Sequence, residues 1–132
     1  MIAKGADVIF HAAGHDGLGA IAAAKEAGRF AIGCDSDQAH LAPEAIVTSF
    51  IKHTDLAVYL AARDVAQGTF TAGHVELGLK EGGVGVAPFR LSAARLPDQE
   101  KILARIEALK KRVAEGAIRV PASLEELAAF VP

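Results

Sequence analysis

The chain has 132 residues, of which 52% are hydrophobic, 23% charged and 5% aromatic, a length and balance that suit one globular α/β or α domain and exclude a disordered or fibrous chain. Fourteen Lys and Arg against sixteen Asp and Glu leave a formal charge of −2, so no basic field exists to hold a phosphate backbone and nucleic acid is not an expected partner. The single cysteine, Cys34, rules out an internal disulfide, and no apolar run approaches the ~18 residues that a bilayer crossing needs.

Met1-Ile2-Ala3-Lys4 leads directly into a strand pattern without the apolar region of a signal peptide, so the chain as written is expected to carry no export address. Val8 to Ala13 is a short apolar run ended by Gly14, and Gly17 to Ala27 reads as an alanine-rich helix stopped at Gly28. Phe30 to Cys34 is the next apolar run. Strand, helix and strand in so short a span predict a βαβ unit with parallel strands and a right-handed crossover. Ile46 to Phe50 is a third strand candidate, and Thr54 or Asp55 can cap the following helix, which runs to Gln67 with Val58, Ala61, Ala62 and Val65 as its apolar stripe.

Val75 to Leu79 and Val84 to Ala87 flank Lys80-Glu81-Gly82-Gly83, a pattern open to two short strands joined by a glycine turn or to two segments re-aimed by the glycines. Pro97 opens the longest helix, with Ile102, Ile106, Leu109 and Val113 as a buried stripe and Lys101, Arg105, Lys110 and Arg112 on a solvated face, until Gly116 ends it. Ser123-Leu124-Glu125-Glu126 is a capping box for a last short helix. The fold class expected is therefore α/β, built on a parallel sheet.

Chemistry is expected at the carboxyl ends of the first two strands, where open α/β sheets bind ligands. The loop from His11 to Gly19 brings glycines to a helix N-terminus, and Asp35 is a strand-end carboxylate able to accept two hydrogen bonds from a vicinal diol such as that of a ribose. The same residues fit a plainer role, with the glycines shaping a tight turn and Asp35 capping the next one. Gly17-Leu18-Gly19-Ala20-Ile21-Ala22 also matches a permissive dinucleotide fingerprint, but residues 12 to 16 intervene between strand and first glycine, where the fingerprint requires direct succession. His11, His15 and Asp16 lack metal-ligand spacing and are expected to be hydrogen-bonded loop residues, so neither a metal nor a cofactor is called for. No serine lies in a nucleophile elbow and Cys34 has no evident base partner, which argues against an enzyme.

Gly5-Ala-Asp-Val-Ile-Phe-His-Ala-Ala-Gly14, Ala31-Ile-Gly-Cys-Asp-Ser-Asp-Gln38, Val47-Thr-Ser-Phe-Ile-Lys52 with Asp55-Leu-Ala-Val-Tyr59, and Gly78-Leu-Lys-Glu-Gly-Gly-Val84, with the closing Gly116-Ala-Ile-Arg-Val-Pro121, resemble in order and spacing the basic membrane protein family of ABC-transporter substrate-binding lipoproteins, which includes purine nucleoside receptors. The resemblance covers residues 1–132 as the C-terminal part of such a protein, with no counterpart in this sequence to the family's N-terminal lobe or lipobox. It implies a type I periplasmic-binding-protein fold, in which two α/β lobes close over a ligand, and places residues from about 50 to 75 at a crossing toward the companion lobe.

By the same similarity, Asp35 would hold ribose hydroxyls, Ala13 and Gly14 would line the cleft, and Lys52 or Lys80 would add a polar contact. Phe10 would lie either beside the base or in the core, and Lys80 fits a turn residue equally well. His15-Asp16 stands where the family tends to have small residues. The implied partners are a nucleoside and, for the full-length family, an ABC permease at the cell envelope; an intracellular ligand-sensing domain and an NAD-binding enzyme fragment are the alternatives. Because one lobe supplies only part of a clamshell's contacts, the chain by itself is expected to bind nucleosides weakly or not at all. A homodimer formed through the helix after residue 54 would cover that helix's apolar stripe.

Overall fold

In the computed structural model, which describes residues 1–91 and 96–130, the chain forms a mixed α/β fold around a single four-stranded sheet. The elements are β1 (Val8–Phe10), α1 (Gly17–Glu26), β2 (Phe30–Gly33), β3 (Ile46–Lys52), α2 (Thr54–Ala66), β4 (Val84–Val86), α3 (Gln99–Ala114) and α4 (Leu124–Ala129), with 3₁₀ turns at Ile2–Lys4, Gly14–Asp16 and Ala39–Leu41. The first turn corrects the expectation that Met1 to Lys4 feed straight into a strand. Gly5, at a φ of 90°, closes it.

The sheet order is β1-β2-β3-β4, with β1, β2 and β3 parallel and β4 antiparallel to β3. Register between β2 and β3 slips at Ala31 and Ile32, so Ala31 faces Ile46 while Ile32 faces Thr48. The antiparallel fourth strand follows from where the chain goes next. It leaves the carboxyl end of β3 through α2 and returns to the same edge, where His53 N–H donates to the Gly83 carbonyl and Lys52 pairs with Val84. Of the two readings of residues 75 to 87, the re-aimed one holds: only Val84–Val86 is a strand.

Alternation along the short strands decides what is buried. Ile9, Ala31 and Ile46 join Ile21 and Ala24 of α1 and Ala39, Ala42 and Ala45 of the β2–β3 connection in one core, with Ile2, Ala6 and Ala20 packed against it. Small alanines let α1 and the connection lie close to the sheet. On the opposite face Val8, Phe10 and Val86 stay exposed.

The helices beyond β3 differ. No residue of α2 is buried, and Val58 and Val65 of its stripe are 70% and 63% exposed. Neither Thr54 nor Asp55 caps it; the cap position falls on His53, one residue earlier because β3 runs on to Lys52, and no side chain bonds the first turn. The expected buried stripe of α3 is corrected too. Ile102, Ile106, Leu109 and Val113 are only half-buried, since the helix meets little beyond the turn at 78–81 and the segment after Gly116. At α4 Ser123 Oγ accepts from Glu126 N–H at 3.1 Å, while Glu126 returns its bond to the N–H of Ala122, one residue before the position a capping box uses.

Candidate functional site at the carboxyl edge of the parallel strands

β1, β2 and β3 all end at one edge of the sheet, and the segments leaving them carry the polar groups of interest. Beyond β2, Cys34 is buried and Asp35 turns outward. The Ser36 N–H donates to the Cys34 carbonyl at 2.9 Å, a bond spanning only two residues, and Asp35 between them has a φ of 71°. This is a γ-turn of the strained hand. Among the described non-glycine residues Asp35 alone has positive φ, a conformation that disfavours L-residues by on the order of 1 kcal/mol and that Asp tolerates better than most.

The turn sets Asp35 against the last residue of the neighbouring strand. Lys52 N–H donates to the Asp35 carbonyl at 3.1 Å, and Lys52 Nζ lies 2.7 Å from Asp35 Oδ1. Both side chains remain about half exposed, at 46% for Asp35 and 53% for Lys52. Lys52 holds the Asp35 carboxyl below the usual carboxylate range, and Asp35 in turn raises the Lys52 ammonium above its ordinary value. Burial, then the neighbouring carboxylate, pushes the Cys34 thiol up, so it stays protonated and weakly nucleophilic at neutral pH.

The loop that carries Asp35 is tied down on its inner side. Gln38 Oε1 accepts from Cys34 N–H at 2.9 Å, and Gln38 N–H donates to the fully buried Ser49 Oγ at 3.1 Å. Asp37 does the local capping expected of Asp35 in its plainer role, accepting Ala39 N–H at 3.1 Å, and its other oxygen accepts two donors of Arg90, which hold its carboxyl low. The capping read as one role for Asp35 therefore falls to Asp37, two residues on.

Beside this loop lies the segment after β1. Ala13 precedes the Gly14–Asp16 turn, and Gly14 takes a φ of 52°, in the left-handed region. His11 is corrected from a hydrogen-bonded loop residue to a buried one, 6% exposed, neither of whose ring nitrogens has a hydrogen-bond partner among the described residues. Its imidazole packs where a Gly17 side chain would otherwise stand. Gly17 thus serves packing at the start of α1, and both glycines of the fingerprint match lie in that helix instead of in a phosphate loop. Among the described residues no cluster of three metal-ligating side chains forms.

Of the six residues singled out in the sequence, the structure brings Asp35 and Lys52 into direct contact. Ala13 and Gly14 leave the adjacent strand at the same edge. Phe10 ends β1 on the face opposite α1 and is 52% exposed, so its core role is set aside. Lys80 sits in the turn before β4, in a depression shared with Gly78, Leu79, Glu81 and the end of α3. Gln38 and Ser49 were not picked out, although a serine and a threonine inside the apolar run 46–51 are a signal, because buried hydroxyls require partners.

Comparison with known proteins places the chain in a family. A family model described as ABC transporter substrate-binding protein PnrA-like matches residues 1–121. The chain belongs to this family. Basic membrane protein B of Borreliella burgdorferi is 35% identical over 136 aligned positions, covering 99% of this chain and 37% of that protein. The chain thus spans little more than a third of that relative's length.

Among solved structures, an ABC transporter solute-binding protein from Aeropyrum pernix K1 superposes with a TM-score of 0.74 at 29% identity, covering 98% of this chain and 44% of that one. A transcriptional activator of the comK gene from Bacillus halodurans gives 0.68 at 26%, covering 83% and 38%. Fold likeness alone therefore does not separate a transport component from a regulator; the family match is what names the class. That family is one of substrate-binding proteins of ABC transporters, and the parallel-dominated sheet fits a lobe of such a protein. Among the described residues no helix is long and apolar enough to cross a membrane.

Proposed function

We propose that this chain supplies one wall of a nucleoside-binding cleft in an envelope-anchored substrate-binding lipoprotein that delivers its ligand, foremost a purine nucleoside, to an ABC permease. The observation that carries the reading is the Asp35–Lys52 pair, half exposed at the carboxyl edge of parallel strands. A vicinal diol can donate two hydrogen bonds to the Asp35 carboxylate, while Lys52 Nζ donates to a hydroxyl or ring oxygen. Ala13 and Gly14 present backbone without bulk beside the sugar, and Phe10 offers an exposed aromatic face for a base. Lys80 is a further polar contact from the turn before β4.

The pair suits binding better than catalysis. A general acid or base works best with a pKa near the working pH, whereas here the carboxyl is moved down and the ammonium up, both away from neutrality. We read the chain as a binding module with no cofactor or metal of its own.

The uncovered stripe of α2 supports assigning residues from about 50 to 75 to a crossing toward a companion lobe. In a chain standing alone, a second copy would cover the same stripe, giving a homodimer. Light scattering tests that part: a concentration-dependent doubling of mass is expected, and a monomer at high concentration counts against it.

Because a single wall grips weakly, the ligand test needs a method that reads millimolar affinity. Saturation-transfer NMR with adenosine, guanosine, inosine, NAD and free ribose should give signal at the ribose protons of the nucleosides, and Asp35→Ala should remove it. Equal transfer in the variant, or transfer confined to NAD, would overturn the assignment.

A further inference from the structure

We infer that Gln38 and Ser49 are positioning residues that hold Asp35 in its ligand-ready conformation, an inference resting on the diol-binding role proposed for Asp35. Ser49 is wholly buried, and the side-chain oxygen of the half-buried Gln38 is engaged by the Cys34 N–H.

Their geometry bears on the turn before and after Asp35. The γ-turn is strained, and left to itself the backbone at residue 35 relaxes toward negative φ, which swings the carboxylate away from Lys52. Two bonds oppose this. The Gln38 amide oxygen captures the Cys34 N–H, fixing the residue that enters the turn, and the Ser49 hydroxyl captures the Gln38 N–H, fixing the chain two residues beyond the turn.

Ser49 pairs with Gly33 across the β2–β3 ladder and stands in the same strand as Lys52. The strap therefore refers both members of the Asp35–Lys52 pair to one rigid element. Gly33 completes it: a methyl group there would overlap Ser49 Oγ and Gln38 Oε1, so only glycine leaves room for both side chains beside the strand. Its φ is ordinary, and the requirement is for space.

A merely structural role would lower stability and leave the carboxylate where it is; a positioning role moves the carboxylate. The test reads Asp35 directly, by a ¹³C-detected pH titration of its side-chain carboxyl in the 132-residue chain without ligand. In the wild type the midpoint is expected below the ordinary aspartate range, because Lys52 lies 2.7 Å from the carboxylate. Gln38→Leu, Ser49→Ala and Gly33→Ala, all uncharged changes, should each shift it upward, and should weaken adenosine saturation transfer on the order of threefold to tenfold, the effect of losing one hydrogen bond.

Ile21→Ala in the core beneath α1 is the control, destabilising the fold while leaving the Asp35 midpoint unchanged. Should one strap variant fail to fold, the other two carry the test. An Asp35 midpoint unmoved in the folded variants overturns the inference even if nucleosides bind, whereas upward shifts in the variants, together with wild-type saturation transfer that Asp35→Ala leaves unchanged, refute the function and leave the strap standing.

Discussion

The loop after β2 and the helix after β3 leave the same edge of the sheet and are held in opposite ways. Residues 34–38 are pinned by a γ-turn, by Gln38 and Ser49 on the inside and by Lys52 and Arg90 on the outside. α2, only one residue beyond Lys52, buries none of its side chains and shows its apolar stripe to solvent. The hold on this loop is thus local and comes from polar contacts with β3 and Arg90, while nothing among the described residues covers the apolar stripe of α2. A site that must grip a small ligand fits the first region, and a surface that must meet another body fits the second.

Substitutions can break that contrast. The largest effect is expected at Ile46, whose side chain is wholly buried in the core at the start of β3. Ile46→Ala should cost about 2–5 kcal/mol in urea unfolding; a loss below about 1 kcal/mol would mean that the core is not organised as described.

Gly17→Ala comes next. Its methyl would overlap the buried His11 ring, and the overpacking should cost about 1–3 kcal/mol. An unchanged midpoint of unfolding would show that His11 moves freely out of its place.

The Asp35–Lys52 pair gives a smaller effect with a definite sign. The Asp35 carboxyl is lowered on folding, so its contribution is fully present above the unfolded value of about 3.9 and is lost as pH falls through the folded value. Lys52 is raised, so its contribution is present below about 10.4 and fades as pH rises through its folded value. Lys52→Met should flatten the acid limb of stability, followed by thermal unfolding between pH 2 and pH 5, a window on the order of the carboxylate range. An acid limb identical to wild type would exclude the pair as its source.

Smallest of all, Val58→Ala on α2 should leave the monomer within about 0.5 kcal/mol of wild type, because the side chain is already in solvent. A large loss would mean that α2 is covered in the chain by itself.

Much of the fold was legible because its signals are local. Gly28 ends α1 and the apolar runs at 8–10 and 30–33 bracket it, so the βαβ unit follows from period and punctuation. Asp35 was legible as the first carboxylate after a strand, and Lys52 only through the family resemblance. Their contact depends on the β2–β3 register, including its slip at Ala31, which no pattern in the two runs fixes. The half-burial of the α3 stripe was hidden for the same reason: heptad spacing reports an amphipathic helix, not how much is available to cover it. The burial of His11, expected as a hydrogen-bonded loop residue, is hidden because it needs a glycine six positions later beside it in space.

The central claim is that Asp35 meets the paired hydroxyls of a sugar at an open edge beside Lys52. Its most direct measurement is a chemical-shift titration of the labelled chain with adenosine and, in parallel, with 2′,3′-dideoxyadenosine. Adenosine should move the Asp35 carboxyl and Lys52 Nζ resonances together with the Gly14 amide, and the dideoxy compound should leave the first two in place. Equal shifts with both compounds, or movement elsewhere with Asp35 silent, would contradict it.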